Sequence, residues 1–337
     1  INTSVTMFER LPTPFGLLRG GVAPDHQRMK SVSKAYDRIA TNPNFSFKGN
    51  VTIGQDITVE ELQTFYDVVI FACGAETDKK LGIPGEALPG SHTATEFVGW
   101  YNGHPDYQSR AFALKDAKRV AIIGQGNVAI DVTRILAKTT EELSTSDIAQ
   151  SALDELAQSG VEEIYLIGRR GPVQAAFTEL EIKELGVLED ADPVVSEKDM
   201  ALSEADSTEL DGEGNGKARK NVAILKEFAD RSGGTKSKKI VVRFFQSPVR
   251  IEGTDRVESI VLERNELSGE PGKQKAKGTG DTETLPVDLV FRSVGYRGLP
   301  LEGVPFHESW GVFPNDLGRI EGANQLYVTG WIKRGPS

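Results

Sequence analysis

In VAIIGQGNVAIDVTRIL, which runs from Val120 to Leu136, an apolar run gives way to two glycines and then to apolar residues at helical spacing. Val120 to Ile123 reads as a buried strand. Val128, Ile130, Val132, Ile135 and Leu136 then fit one face of a helix. Strand, tight glycine turn and helix open a dinucleotide-binding βαβ unit. In such a unit Gly124 lets the chain turn sharply, and Gly126 lets backbone approach a pyrophosphate with no Cβ in the way. Ala129 stands at the third glycine position, where a small residue allows close helix–strand packing. The pyrophosphate would rest on the free N–H groups and positive dipole end of the helix. An ordinary glycine turn between strand and helix is the competing reading, and the next strand weighs against it.

That strand is Glu163 to Ile167, EIYLI, and it runs into Gly168-Arg169-Arg170-Gly171-Pro172. At the end of this second strand an NAD-binding unit places an acidic residue on the ribose 2′-hydroxyl. Arg169 and Arg170 stand there instead, and guanidinium groups match phosphate oxygens in bidentate geometry. The expectation is therefore recognition of a 2′-phosphate, hence NADPH over NADH; elsewhere in a chain Arg-Arg would read as a solvated turn. The usual gap to this position is about 20 residues, and here it is much longer. Lys138 to Gly160 thus reads as an insertion, with a helix expected from Ser146 to Gln158.

Composition narrows the remaining possibilities. The 337 residues are enough for two domains with cores of their own, and 38% hydrophobic with 26% charged residues suits a globular chain. No stretch has the roughly 18 apolar residues of a membrane span. A formal charge of −10, from 39 basic and 49 acidic side chains, argues against a general nucleic-acid binder. Cys73 is the single cysteine, which excludes an internal disulfide, a redox-active CxxC pair and an all-cysteine metal site. His26, His92, His104 and His307 show no metal-ligand spacing, and no metal site is expected.

Along the chain, Ser4 to Phe8 reads as a short strand ending at Glu9, a carboxylate placed to bond both hydroxyls of an adenosine ribose. The glycine loop that belongs with it would lie about 20 residues earlier, so the chain reads as truncated at its start. Leu11 to Asp25 is a Pro/Gly-rich apolar loop, expected to lie over core or over a flat cofactor. His26 to Ala40 reads as a helix, Asn44 to Ile53 as a strand, and Val59 to Phe65 as a helix capped by Thr58. Asp67 to Cys73 reads as a buried parallel strand ending at Gly74, a point where open α/β sheets bind ligands. Phe177 to Glu184 reads as a helix whose Glu181 could bond a ribose or amide, or else face solvent. Gly186 to Gly216, with ten acidic residues and one lysine, reads as a solvated, mobile segment. Lys217, Arg219 and Lys220 form a basic cluster before the helical stretch Asn221 to Ala229, either surface charge or a dock for an acidic partner. Near the end Asn324 to Thr329 is a strand leading to Trp331.

One half-site with a carboxylate and one with paired arginines suggest two cofactors, FAD beside Glu9 and NADPH beside Gly124. PFGLLRGGVAPDH, GAETDKKLGIPGE, FVGWYNGHPD, IIGQGNVAIDVTRIL, GRRGPVQAAFT, RFFQSP, SVGYRG and GWIKRGP together closely resemble the NADPH:ferredoxin oxidoreductases of the adrenodoxin reductase type. The resemblance weakens only between about Gly186 and Asn221, and its wording is nearer the bacterial members.

It implies an α/β fold of two Rossmann-like nucleotide-binding domains, glutathione-reductase-like. The FAD domain would be discontinuous and incomplete, residues 1–77 plus 296–337, and the NADPH domain 78–295. It implies Glu9, Leu17, Ile53, Gly74 and Trp331 on the FAD side, and Gly124, Gln125, Gly126, Asn127 and Val128 at the NADPH pyrophosphate. Arg169 and Arg170 would hold the 2′-phosphate, with Glu181 near the nucleotide. The implied partner is a ferredoxin or adrenodoxin-like [2Fe-2S] protein, docking on Lys217, Arg219 and Lys220. No catalytic side chain is assigned. The expected setting is bacterial cytoplasm, with the mitochondrial matrix as alternative. A segment after Ser337 that packs on the flavin is expected beyond this chain. The competing functional reading is an NADPH-binding module or inactive fragment without flavin turnover.

Overall fold

A computed structural model describes residues 3–231 and 234–335. The chain divides into two compact units: residues 1–22, 26–79 and 295–337 form one, and residues 23–25 with 80–294 the other.

The larger unit is built on a six-stranded parallel sheet. Its strands are β1 (Ser91–Thr93), β2 (Arg119–Ile123), β3 (Glu163–Ile167), β4 (Ala191–Val195), β5 (Lys238–Arg243) and, after three antiparallel strands, β9 (Leu289–Arg292). Their order across the sheet is β1-β9-β2-β3-β5-β4. From β2 the chain passes through helix α2 (Asn127–Ala137) to β3 on one side, while β9 lies on the other. The order therefore reverses at the carboxyl end of β2, where open α/β sheets form their ligand crevice.

Alternate residues of β2 serve two different cores, as the twofold period of a strand requires. Val120 and Ile122 pack with α1 (Ala94–Tyr101) and α2, in a cluster that includes Phe97, Trp100, Ile130 and Ile135. Ala121 and Ile123 face a second cluster with Ile251, Ile260, Leu262 and Leu285. Those partners come from an antiparallel sheet of β6 (Gln246–Glu252), β7 (Ser259–Ser268) and β8 (Lys275–Pro286). One face of the parallel sheet is thus covered by helices and the other by strands.

Several local expectations need correction. The segment from Gly186 to Gly216 is not a mobile loop: it supplies β4, whose Ala191, Pro193 and Val195 are buried, and helix α6 (Glu204–Asp211). The Lys138–Gly160 insertion holds two short helices, α3 (Thr140–Ser144) and α4 (Gln150–Leu156), instead of one starting at Ser146. Thr139 starts α3 with a reciprocal capping box to Glu142. Helices α5 (Glu179–Leu185) and α7 (Gly216–Asp230) lie where helical patterns were read.

The smaller unit has a parallel pair, Val5–Phe8 with Phe45–Lys48, and a second sheet that includes Val69–Phe71 beside Leu326–Val328. Thr58 caps the helix Val59–Phe65 through a capping box with Glu61, as its sequence predicts. The apolar loop contains a short helix, Gly16–Gly20, and the expected single helix from His26 to Ala40 is two, Gln27–Lys30 and Ser33–Ala40. The strand expected from Asn44 to Ile53 stops at Lys48, because Gly49 and the left-handed Asn50 turn the chain. Val69–Phe71 is not buried on both faces, since Ile70 is 62% exposed. Pro336 and Ser337 lie outside the described residues.

Candidate functional site: the glycine turn and its arginine neighbour

Two glycines shape the turn after β2, for different reasons. Gly124 has φ +130°, and a Cβ there would stand 2.1 Å from the carbonyl oxygen of Ser293. Only glycine fits that position, whatever the function. Gly126 is the opposite case. Its φ is −97°, a value any residue adopts, and a Cβ there would meet nothing within 4 Å. The packing of this unit gives no reason for glycine at 126.

Gly126 is also the N-cap of α2 and makes no side-chain cap bond, and the first turn of α2 carries no acidic residue. The leading N–H groups of a helix have no intrahelical acceptor, so this end presents donors and a positive dipole to the crevice. The surrounding chain is fastened to the turn. Gln125 accepts through its carbonyl from the N–H groups of Ala176 (3.0 Å) and Phe177 (2.9 Å). Its side-chain amide donates to the Arg243 carbonyl at 3.1 Å. Asn127 accepts from the Thr178 N–H at 2.8 Å, and Val128 packs half-buried on the helical core.

Arg169 and Arg170 follow β3 after Gly168, next along the same sheet edge. Arg169 is exposed and Arg170 half-buried, with one guanidinium N–H of Arg170 donating to the Gln174 carbonyl at 3.3 Å. The larger unit thus gathers glycine turn, helix terminus and paired arginines at the carboxyl ends of neighbouring strands β2 and β3.

Glu181 is neither solvated nor free. It is 7% exposed, and its carboxylate accepts from Arg134 of α2 at 3.0 Å. Arg134 is wholly buried and also donates to Asp131 (2.7 Å) and to both oxygens of Asp25 (2.7 and 3.0 Å). Lys138 adds a further donor to Asp25 at 2.8 Å. Burial by itself would raise the pKa of Asp25, but the hydrogen bonds and charges of Arg134 and Lys138 prevail and hold it well below the usual carboxylate range. Burial works against the charge of Arg134, but Asp25, Asp131 and Glu184 prevail and raise its already high pKa. Nothing in the local sequence marks this cluster.

In the smaller unit, Glu9 follows the strand Val5–Phe8, and one of its carboxylate oxygens accepts from the Leu11 N–H at 3.1 Å. Gly74 follows Val69–Phe71 with φ +77°, and a Cβ there would meet nothing within 4 Å. Trp331 begins a short helix and stacks on Tyr296, ring centres 5.7 Å apart. Ile53 lies half-buried in a tight turn bridged to Ile57, and Leu17 is 54% exposed. These residues offer a strand-end carboxylate, an open glycine and an aromatic face, which suits the ribose and ring portions of a flavin nucleotide. A second strand–glycine turn–helix, of the Gly124 kind, is not among the described residues of this unit.

The basic cluster of α7 is largely engaged within the chain. Lys217 donates to the Ala176 carbonyl (2.7 Å), Arg219 to the carbonyls of Leu210 (2.5 Å) and Gly212 (3.3 Å), and Lys220 pairs with Glu179 (2.8 Å). No helix among the described residues is long and apolar enough to cross a membrane.

Comparison with known proteins places these features in context. No family model matches the chain. It is 47% identical over 338 residues to the NADPH-ferredoxin reductase FprA of Mycobacterium leprae, covering all of this chain and 73% of that protein. It is 42% identical over 351 residues to the mitochondrial NADPH:adrenodoxin oxidoreductase of Arabidopsis thaliana, covering 98% and 72%. The structure of Mycobacterium tuberculosis FprA in complex with NADPH superposes with a TM-score of 0.94 at 46% identity, over 99% of this chain and 73% of that one. At this identity over this much of the relatives' length, the chain belongs to the FprA/adrenodoxin reductase family.

Proposed function

We propose that the larger unit binds NADPH and that the chain serves a flavin-dependent NADPH:ferredoxin reductase. The observation that carries the reading is Gly126, a glycine that neither backbone angle nor neighbouring atoms require, at the uncapped start of α2. A missing Cβ at the end of a helix dipole is what close approach of a pyrophosphate needs. Gly124, Gln125, Asn127 and Val128 complete the pyrophosphate turn in this reading, and Arg169 and Arg170 take the 2′-phosphate. Family membership and the NADPH carried by the solved relative support it.

Glu181 acts in this reading through Arg134, holding α2 and α5 in place beside the nucleotide, and not by touching it. On the flavin side Glu9 would hold the ribose, Gly74 would admit the cofactor's backbone-facing edge, and Leu17, Ile53 and Trp331 would border the ring. FAD, when bound, takes a hydride from NADPH and releases electrons singly, which suits a ferredoxin or adrenodoxin-like [2Fe-2S] acceptor. Lys217, Arg219 and Lys220 are the proposed dock for that acidic partner, and bacterial cytoplasm the proposed setting. In this assignment the FAD part is the unit of residues 1–22, 26–79 and 295–337, and the NADPH part the remainder.

The test is an absorption spectrum of the purified chain with FAD, followed by anaerobic NADPH. Protein-bound flavin bands that bleach on NADPH addition support the reductase. A chain that binds NADPH and stays colourless supports the alternative, a nucleotide-binding module without turnover. A chain that binds neither overturns both.

A further inference from the structure

We propose that Asn265 is a positioning residue for recognition of the 2′-phosphate, acting through the backbone of the Arg169–Arg170 turn. The inference rests on the NADPH reading given above and adds the element that fixes its specificity.

The turn after β3 makes few hydrogen bonds of its own. Its backbone is held from outside, by the end of β5 and the start of β6. Gly168 donates to Arg243 (2.9 Å) and accepts from Gln246 (2.9 Å), and the Arg170 carbonyl accepts from Phe245 (3.0 Å). Among the described residues the Arg169 carbonyl is reached by a side chain, the Asn265 amide at 2.9 Å, and by no backbone N–H. Asn265 is 4% exposed, and the same amide also donates to the Ser247 hydroxyl at 2.9 Å. Its own N–H donates to the Phe245 carbonyl at 2.7 Å. Asn265 therefore grips the turn twice, once directly and once through Phe245.

Two irregularities exist where this grip is made. The pairing of β7 with β8 slips between Glu263 and Asn265, a bulge of the kind that re-aims a side chain. Phe245 has φ +57°, a conformation that a bulky residue adopts only when its surroundings hold it there. Its ring lies against Gly171, where a Cβ would stand 2.7 Å from the ring edge, and Arg264 stacks on it at 5.0 Å. A bulge and a left-handed phenylalanine, both bonded to one turn, indicate that the turn's geometry is imposed and not merely allowed. With the peptide between Arg169 and Arg170 fixed, the two guanidinium groups leave the turn from fixed points. Bidentate contact with phosphate depends on that placement.

The test compares binding of 2′,5′-ADP and 5′-AMP to the full chain by calorimetry, for wild type, N265A, N265D and S247A. Asn265→Asp keeps size and can hold the Ser247 contact with its direction reversed, accepting from the hydroxyl, but has no N–H for the Arg169 carbonyl. S247A loses the other bond and keeps the one to Arg169. N265A and N265D should bind 2′,5′-ADP roughly three- to tenfold more weakly, the worth of one net hydrogen bond, with 5′-AMP affinity unchanged. S247A should retain wild-type preference. A purely structural role would lower melting temperature alike in S247A and N265D and weaken both nucleotides equally. Wild-type preference in folded N265D overturns the inference. Should wild type itself not prefer 2′,5′-ADP, the NADPH reading falls first and takes the inference with it.

Discussion

Arg134 and Asp25, 109 residues apart in sequence, meet through two hydrogen bonds of 2.7 and 3.0 Å with the guanidinium wholly out of solvent. Asp131, Glu181, Glu184 and Lys138 belong to the same cluster, so each charge is met by an opposite one. Removing one partner from such a buried set leaves an uncompensated charge. Arg134→Met should cost about 3–5 kcal/mol, read as a lowered urea midpoint in a chain that still folds in the cold. A loss below about 1 kcal/mol would show the cluster to be incidental.

The same pair sets an acid limit on stability. Asp25 has a depressed pKa in the folded state, so its contribution is fully present above the unfolded value near 4. It is lost as pH falls below that, towards the lower folded value. Urea midpoints measured downward from about pH 4 should therefore fall more steeply for wild type than for Asp25→Asn. Parallel curves would argue against the bond as drawn.

Gly124 and Gly126 should separate fold from ligand. Gly124→Ala puts a Cβ on the Ser293 carbonyl at a left-handed φ, and a loss of about 1–3 kcal/mol in stability is expected. Gly126→Ala meets nothing, so thermal stability should hold within about 0.5 kcal/mol while NADPH affinity drops at least about tenfold. Unimpaired NADPH binding by folded Gly126→Ala would remove the main support for the pyrophosphate site.

Replacing Arg169 and Arg170 together by glutamine should raise the KM for NADPH and leave that for NADH nearly unchanged. Each lost phosphate contact is worth about 1.5–3 kcal/mol. An unaltered NADPH/NADH ratio in the double variant would sink the assignment.

Lys217→Glu with Lys220→Glu tests the partner's dock. Both side chains are exposed, although each already has one internal partner. Surface charges of this kind act mainly on association rate, and salt screens them. Ferredoxin reduction should slow severalfold at low ionic strength and converge with wild type at high salt. Equal rates at low salt would place the partner elsewhere.

The parts of the site legible in sequence are the parts made by contiguous residues. Strand, glycine turn and helix at Val120–Leu136 are one local pattern, and Arg169–Arg170 gains meaning from the strand just before it. What escaped reading depends on distant partners. Ten acidic residues made Gly186–Gly216 look solvated, yet Ala191, Pro193 and Val195 alternate inward as an edge strand, where proline removes no ladder bond that is needed. Its burial is visible only once β5 lies beside it. Glu181 looked like an exposed helix residue because Arg134 lies 47 positions away, and Asn265 carries no motif at all. Within the stretch His26 to Ala40, helical spacing does not mark a buried face, since Met29, Val32, Tyr36 and Ile39 are all exposed.

The assignment of Ala23–Asp25 to the larger unit, with both flanks in the smaller one, bears on how such a protein can be dissected. A gene segment cut at the main boundaries, encoding only residues 80–294, would leave Arg134 and Lys138 without the carboxylate they share. The larger unit is therefore not a self-contained cassette. Grafting it elsewhere would require either carrying along a tripeptide from far upstream or replacing Arg134 of α2 and Lys138 just after it.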